Sequence, residues 1–146
     1  MILVDSKINT YQRLGKISII PFDPLSINPN SYDLKLSNSF QVARETICLP
    51  ANVVGILNGK SSLARLGIEI HCTGGFVEAG FSGSITLEIT NKHPSPIKLY
   101  SGMRIAQLVF VETERATIPY GNRPNSKYQH QTGATVSRYH LNKVQI

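Results

Sequence analysis

The chain has 146 residues, 41% hydrophobic and 16% charged, the make-up of one soluble domain with its own core rather than of a disordered, fibrous or two-domain chain. Its formal net charge of +6 favours an anionic partner, yet the basic residues are dispersed, so a small phosphorylated ligand is expected and nucleic acid is not. No apolar run reaches a membrane span, and the segment MILVDSKINT is broken at once by polar and acidic residues, so no membrane partner or signal peptide is expected and the expected location is cytoplasmic.

Asp5 as an N-cap, Ile8, Tyr11 and Leu14 at helical spacing, and Gly15 as a stop predict one helix over about Ser6 to Leu14. With the strand after it, this forms an N-terminal element over residues 1–20 of a single domain spanning 1–146. Ser31 to Leu36 alternates in the manner of a strand, and so does Ser84 to Thr90. Cys48 and Cys72 form no disulfide framework and are expected as core fillers. Ser62 to Leu66 fits one helical turn. Met103 to Val111 is a nearly continuous apolar run, which predicts a strand buried on both faces. Residues 120–146 are polar and glycine-punctuated, an arm expected to order over a ligand or a neighbour. Short strands separated by Pro, Gly, Asn and Ser clusters give an all-β (mainly β) fold, a barrel or jelly roll with a short N-terminal helix.

The chemistry concentrates between Gly59 and Asn91. Gly59-Lys60-Ser61-Ser62 supplies a cation and hydroxyls suited to phosphate oxygens. It is not a nucleoside-triphosphatase phosphate loop, because Val54 stands where that motif needs glycine. Arg65 follows Ser61 by one helical turn and projects from the same side, where a guanidinium can neutralise phosphate or hold a carboxylate. Glu88 alternates with Ile85, Leu87 and Ile89 and shares a face with Ser84, Thr86 and Thr90. On an open sheet that face meets solvent. In a closed barrel or at a subunit interface it becomes a pocket, with Glu88 at its floor and its pKa raised for proton shuttling. Glu78 lies between Gly74-Gly75 and Gly80, placed to accept a hydrogen bond from a sugar hydroxyl, with Phe81 either against the sugar ring or in the core. No metal site is expected: His71 and Cys72 are adjacent but no Cys-x-x-Cys or His-x-Glu partner follows, and the zinc-deaminase signature is absent. His71, His93, His130 and His140 are expected to be structural or exposed.

Lys60-Ser61-Ser62-Leu63-Ala64-Arg65-Leu66-Gly67 resembles the signature of dCTP deaminases, members of the trimeric dUTPase superfamily. Asn28 to Leu34, Gly102 to Leu108, Ser126 to Gln131 and Ser137-Arg138 are similar to further blocks of that family, in the same order. The resemblance implies a distorted β-barrel and a homotrimer with active sites at the subunit interfaces. It implies hydrolysis of dCTP to dUTP and ammonia without zinc, with Mg²⁺ carried on the substrate phosphates and dTTP as an inhibitor. Glu88 would transfer protons, assisted by Ser61 and Arg65 around the attacking water and the base, with the Gly74 carbonyl helping to position them. Lys60 and Ser62 would touch phosphates, Glu78 the 3′-hydroxyl, and Phe81 would exclude a ribose 2′-hydroxyl. Thr86, Leu87 and Gln107 would line the substrate site, and Tyr120, Lys127 and Gln131 would close over the triphosphate. Two alternatives accompany this reading: a bifunctional enzyme giving dUMP and diphosphate, and a nucleotide-binding regulator without turnover. The sequence departs from the family pattern twice. An internal segment is missing after Leu36, which touches peripheral elements and regulation by dTTP, and Glu78 stands where Asp is commoner.

Overall fold

A nine-residue helix, α1 (Asp5–Arg13), opens the computed structural model, which describes residues 1–142. Ile8 and Tyr11 face the core, as their spacing predicts. The N-cap is Val4 rather than Asp5; Asp5 lies inside the first turn, where its carboxylate meets the positive end of the helix. Gly15, at φ +66°, ends the element in the left-handed region that glycine enters without steric cost.

Ten strands follow: β1 (Ser18–Ile20), β2 (Ile27–Asn28), β3 (Ser31–Lys35), β4 (Val42–Cys48), β5 (Val53–Gly59), β6 (Ile68–Ile70), β7 (Phe76–Val77), β8 (Ser82–Thr86), β9 (Ile89–Asn91) and β10 (Arg104–Glu112). A single turn of helix, α2 (Ser61–Ala64), separates β5 from β6. The strands form antiparallel sheets in the orders β2-β3-β10-β5-β7, β1-β4-β8 and β6-β9. One apolar core joins them, with Tyr32, Leu34, Ile47, Leu87, Leu108 and Phe110 fully buried. Each such side chain contributes about 1.5–3 kcal/mol through the surface it removes from water.

Three strand expectations are modified. Ser31 to Leu36 does not alternate in burial, since Ser31, Tyr32, Asp33 and Leu34 are all buried where β3 is flanked by β2 and β10. The run Met103 to Val111 becomes β10, and only one face is fully buried; Gln107, Val109 and Val111 are half-buried on the other. That outer face also carries Ile56 and Phe76, paired across β5 and β7 and exposed in the single chain. The stretch Ser84 to Thr90 is split: β8 pairs with β4, β9 pairs with β6, and Leu87 and Glu88 bridge the two sheets. Both cysteines are exposed, because Cys48 falls on the outward phase of β4 and Cys72 lies in the loop after β6.

Between β3 and β4 the chain turns within Ser37 to Gln41, closed by the Leu36–Ala43 bridge and by the Ser37 N–H donating to the Val42 carbonyl at 3.0 Å. This is the turn at which the family resemblance implies a missing segment. The C-terminal arm docks along the edge of β8 in its own chain: the His130 N–H donates to the Ser82 carbonyl at 2.7 Å, and the Ser84 N–H to the Gln131 carbonyl at 2.9 Å. Gly80 permits this docking, because a Cβ there would lie 2.5 Å from the Pro119 side chain. The last residues of the predicted arm, 143–146, lie outside the described residues.

Phe110→Ala is expected to lower the unfolding free energy by about 3–5 kcal/mol, whereas Arg115→Ala, at an exposed position, should change it by no more than about 0.5 kcal/mol. Urea unfolding of the two variants beside the parent chain measures both.

Candidate functional site

A cavity of about 580 Å³ opens between β8, the turn before it and the docked arm. Its apolar wall is built by Phe81, Ile85 and Leu87, all buried. Tyr120, delivered by the arm, packs on Phe81 with ring centroids 6.0 Å apart. Phe81 is thus a core residue, as one of its two expected placements has it, and its ring also forms part of the cavity wall. Gly74 lines the cavity from the loop before β7, Glu78 from the turn before β8, Thr86 and Glu88 from the crossing between sheets, and Gln131 from the arm. The Gln131 amide is oriented by Nε2 donating to the Ser84 carbonyl at 2.6 Å, and its Oε1 is buried without a partner among the described residues.

Glu88 sits where neither sheet holds the backbone, and His71 holds it instead. The His71 N–H donates to the Glu88 carbonyl at 3.0 Å, and the Glu88 N–H donates to His71 Nδ1 at 3.3 Å. That second bond assigns the imidazole proton to Nε2, which faces Glu88 Oε1 at 3.8 Å. The His71 side chain is only 8% exposed, and burial pushes its pKa below the ordinary histidine value, with the Glu88 charge as a weaker opposing cause. Of the two expectations for His71, structural or exposed, the structure gives the first: its side chain is buried against the candidate acid. Seventeen residues separate the pair, and no local pattern links them; only the β6–β9 pairing brings them together. The Glu88 side chain itself is 63% exposed, so a single chain gives it a cavity wall on one side and no shelter on the other.

A second cavity, about 510 Å³, is lined by Asn58, Lys60, Ser61, Glu69, Lys92 and Gln107. Ser61 starts α2, anchored by buried Leu63; Ser62 and Arg65 are exposed on the same turn. The predicted helical turn is present, one residue earlier than expected. Lys60 is not free: its Nζ lies 2.6 Å from Oδ1 of buried Asp33. Lys92 and Glu69 pair at 2.5 Å, which raises the lysine and lowers the carboxyl relative to their ordinary values.

The predicted site residues thus fall into two sets within one chain. Glu88, Gly74, Glu78, Phe81, Thr86, Leu87, Tyr120 and Gln131 line the first cavity, whereas Lys60, Ser61 and Gln107 line the second. Ser62 and Arg65 line neither. Lys127 is also absent from both linings, its amino group bonded to the Asn142 side chain; its neighbour Tyr128 lines the first cavity instead.

Residues 42–113 match the sequence pattern of the dCTP deaminase-like family. A protein of Methanosphaerula palustris named dCTP deaminase, dUMP-forming, is 41% identical over 182 aligned positions that cover 98% of each chain. A protein of the same name from Streptomyces griseus is 35% identical, covering 94% of this chain and 95% of its own. The 182 positions of the first alignment against 146 residues leave at least 36 without a counterpart here. Among solved structures, the 2′-deoxycytidine 5′-triphosphate deaminase of Agrobacterium tumefaciens superposes with a TM-score of 0.63 at 23% identity, covering 75% of this chain and 47% of that one. This last likeness establishes the shared fold.

Because the folded chain binds a proton at His71 less readily than the unfolded chain, its neutral imidazole contributes stability that is fully present above about pH 6.5 and is lost as pH falls through the depressed folded value. His71→Asn, which keeps an acceptor and tolerates the residue's φ of +51°, should lose less thermal midpoint between about pH 7 and pH 5 than the parent. Buried Glu45, raised by desolvation, acts in the opposite sense in both proteins and cancels in the comparison. Calorimetric scans across that window measure the difference.

Proposed function

The chain belongs to the dCTP deaminase-like family, and on that premise we propose that it hydrolyses dCTP, with two waters consumed, to dUMP, diphosphate and ammonia. The sequence favours release of dUTP and keeps dUMP formation as an alternative. The alternative is adopted here because the relatives from Methanosphaerula palustris and Streptomyces griseus both bear the name dUMP-forming.

The observation that carries the reading is the division of the candidate residues between two cavities. One holds an acid, Glu88, beside an apolar slot of Phe81, Ile85 and Leu87 that suits a pyrimidine nucleoside. The other holds Lys60, Ser61 and Lys92, which suit phosphate oxygens. Each is half of a nucleotide site. A homotrimer in which α2 of one chain closes over Glu88 of the next completes both and supplies the shelter a single chain lacks. Exposed Ser62 and Arg65, and the half-buried outer face of β10, are available for that contact.

In the completed site Glu88 as an acid protonates the cytosine N3, which makes C4 electrophilic. As a carboxylate it takes a proton from the attacking water and passes it to the amino group, which leaves as ammonia while the C4 hydroxyl gives its proton back to the carboxylate. One carboxyl serves all of these transfers when its surroundings bring its pKa near the working pH. His71 faces this carboxylate with its Nε2–H and holds the Glu88 backbone with its own N–H and Nδ1. Ser61 and Arg65 of the neighbouring chain orient the water and the base, with the Gly74 carbonyl alongside. Thr86, Leu87 and Gln107 frame the substrate, and Phe81 rejects a ribose 2′-hydroxyl. Lys60 and Ser62 bind phosphates, and Tyr120, Lys127 and Gln131 close over them, Lys127 after leaving Asn142. Mg²⁺ fits as part of the substrate, since the second cavity offers lysine and serine donors to a triphosphate rather than a cluster of carboxylates for an ion; when bound, it offsets phosphate charge. Glu78 holds the 3′-hydroxyl. It is also the carboxylate available to accept the proton of the second water, which attacks the α-phosphorus and releases diphosphate.

Incubation of the purified protein with dCTP and Mg²⁺, with the products resolved by anion exchange, tests the reading. dUMP, diphosphate and ammonia support it. Accumulating dUTP overturns the second step alone, and unchanged dCTP overturns the enzymatic reading. Glu88→Gln is expected to bind dCTP at near-parental affinity while ammonia release falls by at least about 10². Retained turnover in that variant removes Glu88 from its role.

A further inference from the structure

The mechanism above leaves two buried carboxyls, Asp33 and Glu45, without a task, and Asp33 is the one bonded to a lysine of the second cavity. Asp33, in β3, has a side chain only 2% exposed. It stands opposite Gln107 of β10, which stands opposite Asn58 of β5. Gln107 and Asn58 both line the second cavity, and Asp33 extends that polar row behind it. Three donors converge on its carboxylate: Lys60 Nζ at 2.6 Å and Asn28 Nδ2 at 2.9 Å on Oδ1, and Arg104 Nε at 3.8 Å from Oδ2. Arg104 is also tied by its Nη2 to the Leu25 carbonyl at 2.8 Å. Of the three donors only Lys60 lines the cavity.

We infer that Asp33 is a positioning residue for phosphate recognition, holding the Lys60 ammonium at the wall of the second cavity before substrate arrives. The inference rests on the proposed reading of that cavity as the triphosphate half of the site. A buried ion pair adds little net stability once desolvation of both charges is counted, so stability alone gives Asp33 no purpose. Positioning does. A free lysine side chain has four flexible bonds and loses much rotamer freedom when a ligand immobilises it. Lys60 has already lost that freedom to Asp33. Its ammonium carries three N–H donors; one faces Asp33, which leaves two for phosphate oxygens without breaking the pair.

The test is a double-mutant cycle on the assembled, full-length protein, reading KM and kcat for dCTP. Lys60→Met examines the cavity reading itself and should raise KM. Asp33→Glu keeps the charge but moves the carboxylate by about one methylene, so it reports position alone. It is expected to raise KM about tenfold with kcat within about twofold, and to raise it no further in a Lys60→Met background. Asp33→Asn, of equal volume, is the second arm should the longer side chain disturb folding, which the thermal midpoint reports; the same non-additivity is expected of it. If Lys60→Met raises KM while the Asp33 variants add to it independently, or lower kcat as much as they raise KM, Asp33 acts on the fold and the inference fails with the cavity reading intact. If Lys60→Met leaves KM unchanged, the cavity reading fails and takes the inference with it.

Discussion

Leu87 and Glu88 belong to no sheet, and two hydrogen bonds between His71 and the Glu88 backbone, one through the His71 backbone N–H and one through its ring Nδ1, take the place of the missing ladder. Much of the site depends on that substitution. An unbroken strand would carry Glu88 past Val42, where β4 begins, and keep its side chain on the face of Thr86. Because β8 ends at Thr86 and β9 begins at Ile89 on a different partner, the chain is free to turn its acid along the wall of a cavity. Leu87, fully buried between them, anchors the crossing. The cost is a residue in the left-handed backbone region, His71 at φ +51°, a conformation that non-glycine residues adopt only where their surroundings enforce it. Such strain at the residue that grips the proposed proton carrier fits a place where geometry matters more than local stability.

A second constraint is division of labour. Acid–base chemistry needs a carboxyl removed from water, and phosphate binding needs cations that remain accessible. A chain of this size has difficulty meeting both requirements in one pocket. Here the acid and the nucleoside-sized slot lie on one cavity and the cations on another, and under the proposed trimer each copy lends its cations to a neighbour's acid. The 63% exposure of Glu88 in isolation is then the exposure of half an interface. The apolar outer face carrying Ile56, Phe76, Val109 and Val111 is a natural candidate for the remainder of that contact, since exposed apolar patches mark association surfaces.

Local signals read well in this sequence and long-range ones poorly. The helix over residues 5–13 followed from three apolar residues at helical spacing and a glycine, and the β-rich architecture followed from short runs punctuated by turn residues. The turn at Ser61 was legible for the same reason. What failed required knowledge of partners. Alternation from Ser84 to Thr90 is equally consistent with one strand or with two strands on different sheets, because period two says nothing about which neighbour each half pairs with. The apolar run in β10 promised burial on both faces, but one chain covers only one. The cysteines were assigned to the core on residue type, whereas strand phase turned Cys48 outward. The roles of His71 and Asp33 depend on residues 17 and 27 positions away, and nothing near either residue announces them. The arm was legible as an arm, yet its seat on β8 was not, because it depends on Gly80 clearing space for Pro119.

The short turn from Ser37 to Gln41 has a consequence for how the molecule assembles itself. The entropy lost in closing a loop grows with the logarithm of its length, about 0.6 kcal/mol per doubling. A connection about eight times as long would be about three doublings longer, so bringing β3 to β4 would cost about 2 kcal/mol more. In this chain the Leu36–Ala43 bridge is a near-neighbour contact. A topology dominated by distant strand pairings, with β10 reaching back to β3 and β5, therefore gains, beside the β2–β3 hairpin, a second cheap early contact from which slower pairings can grow.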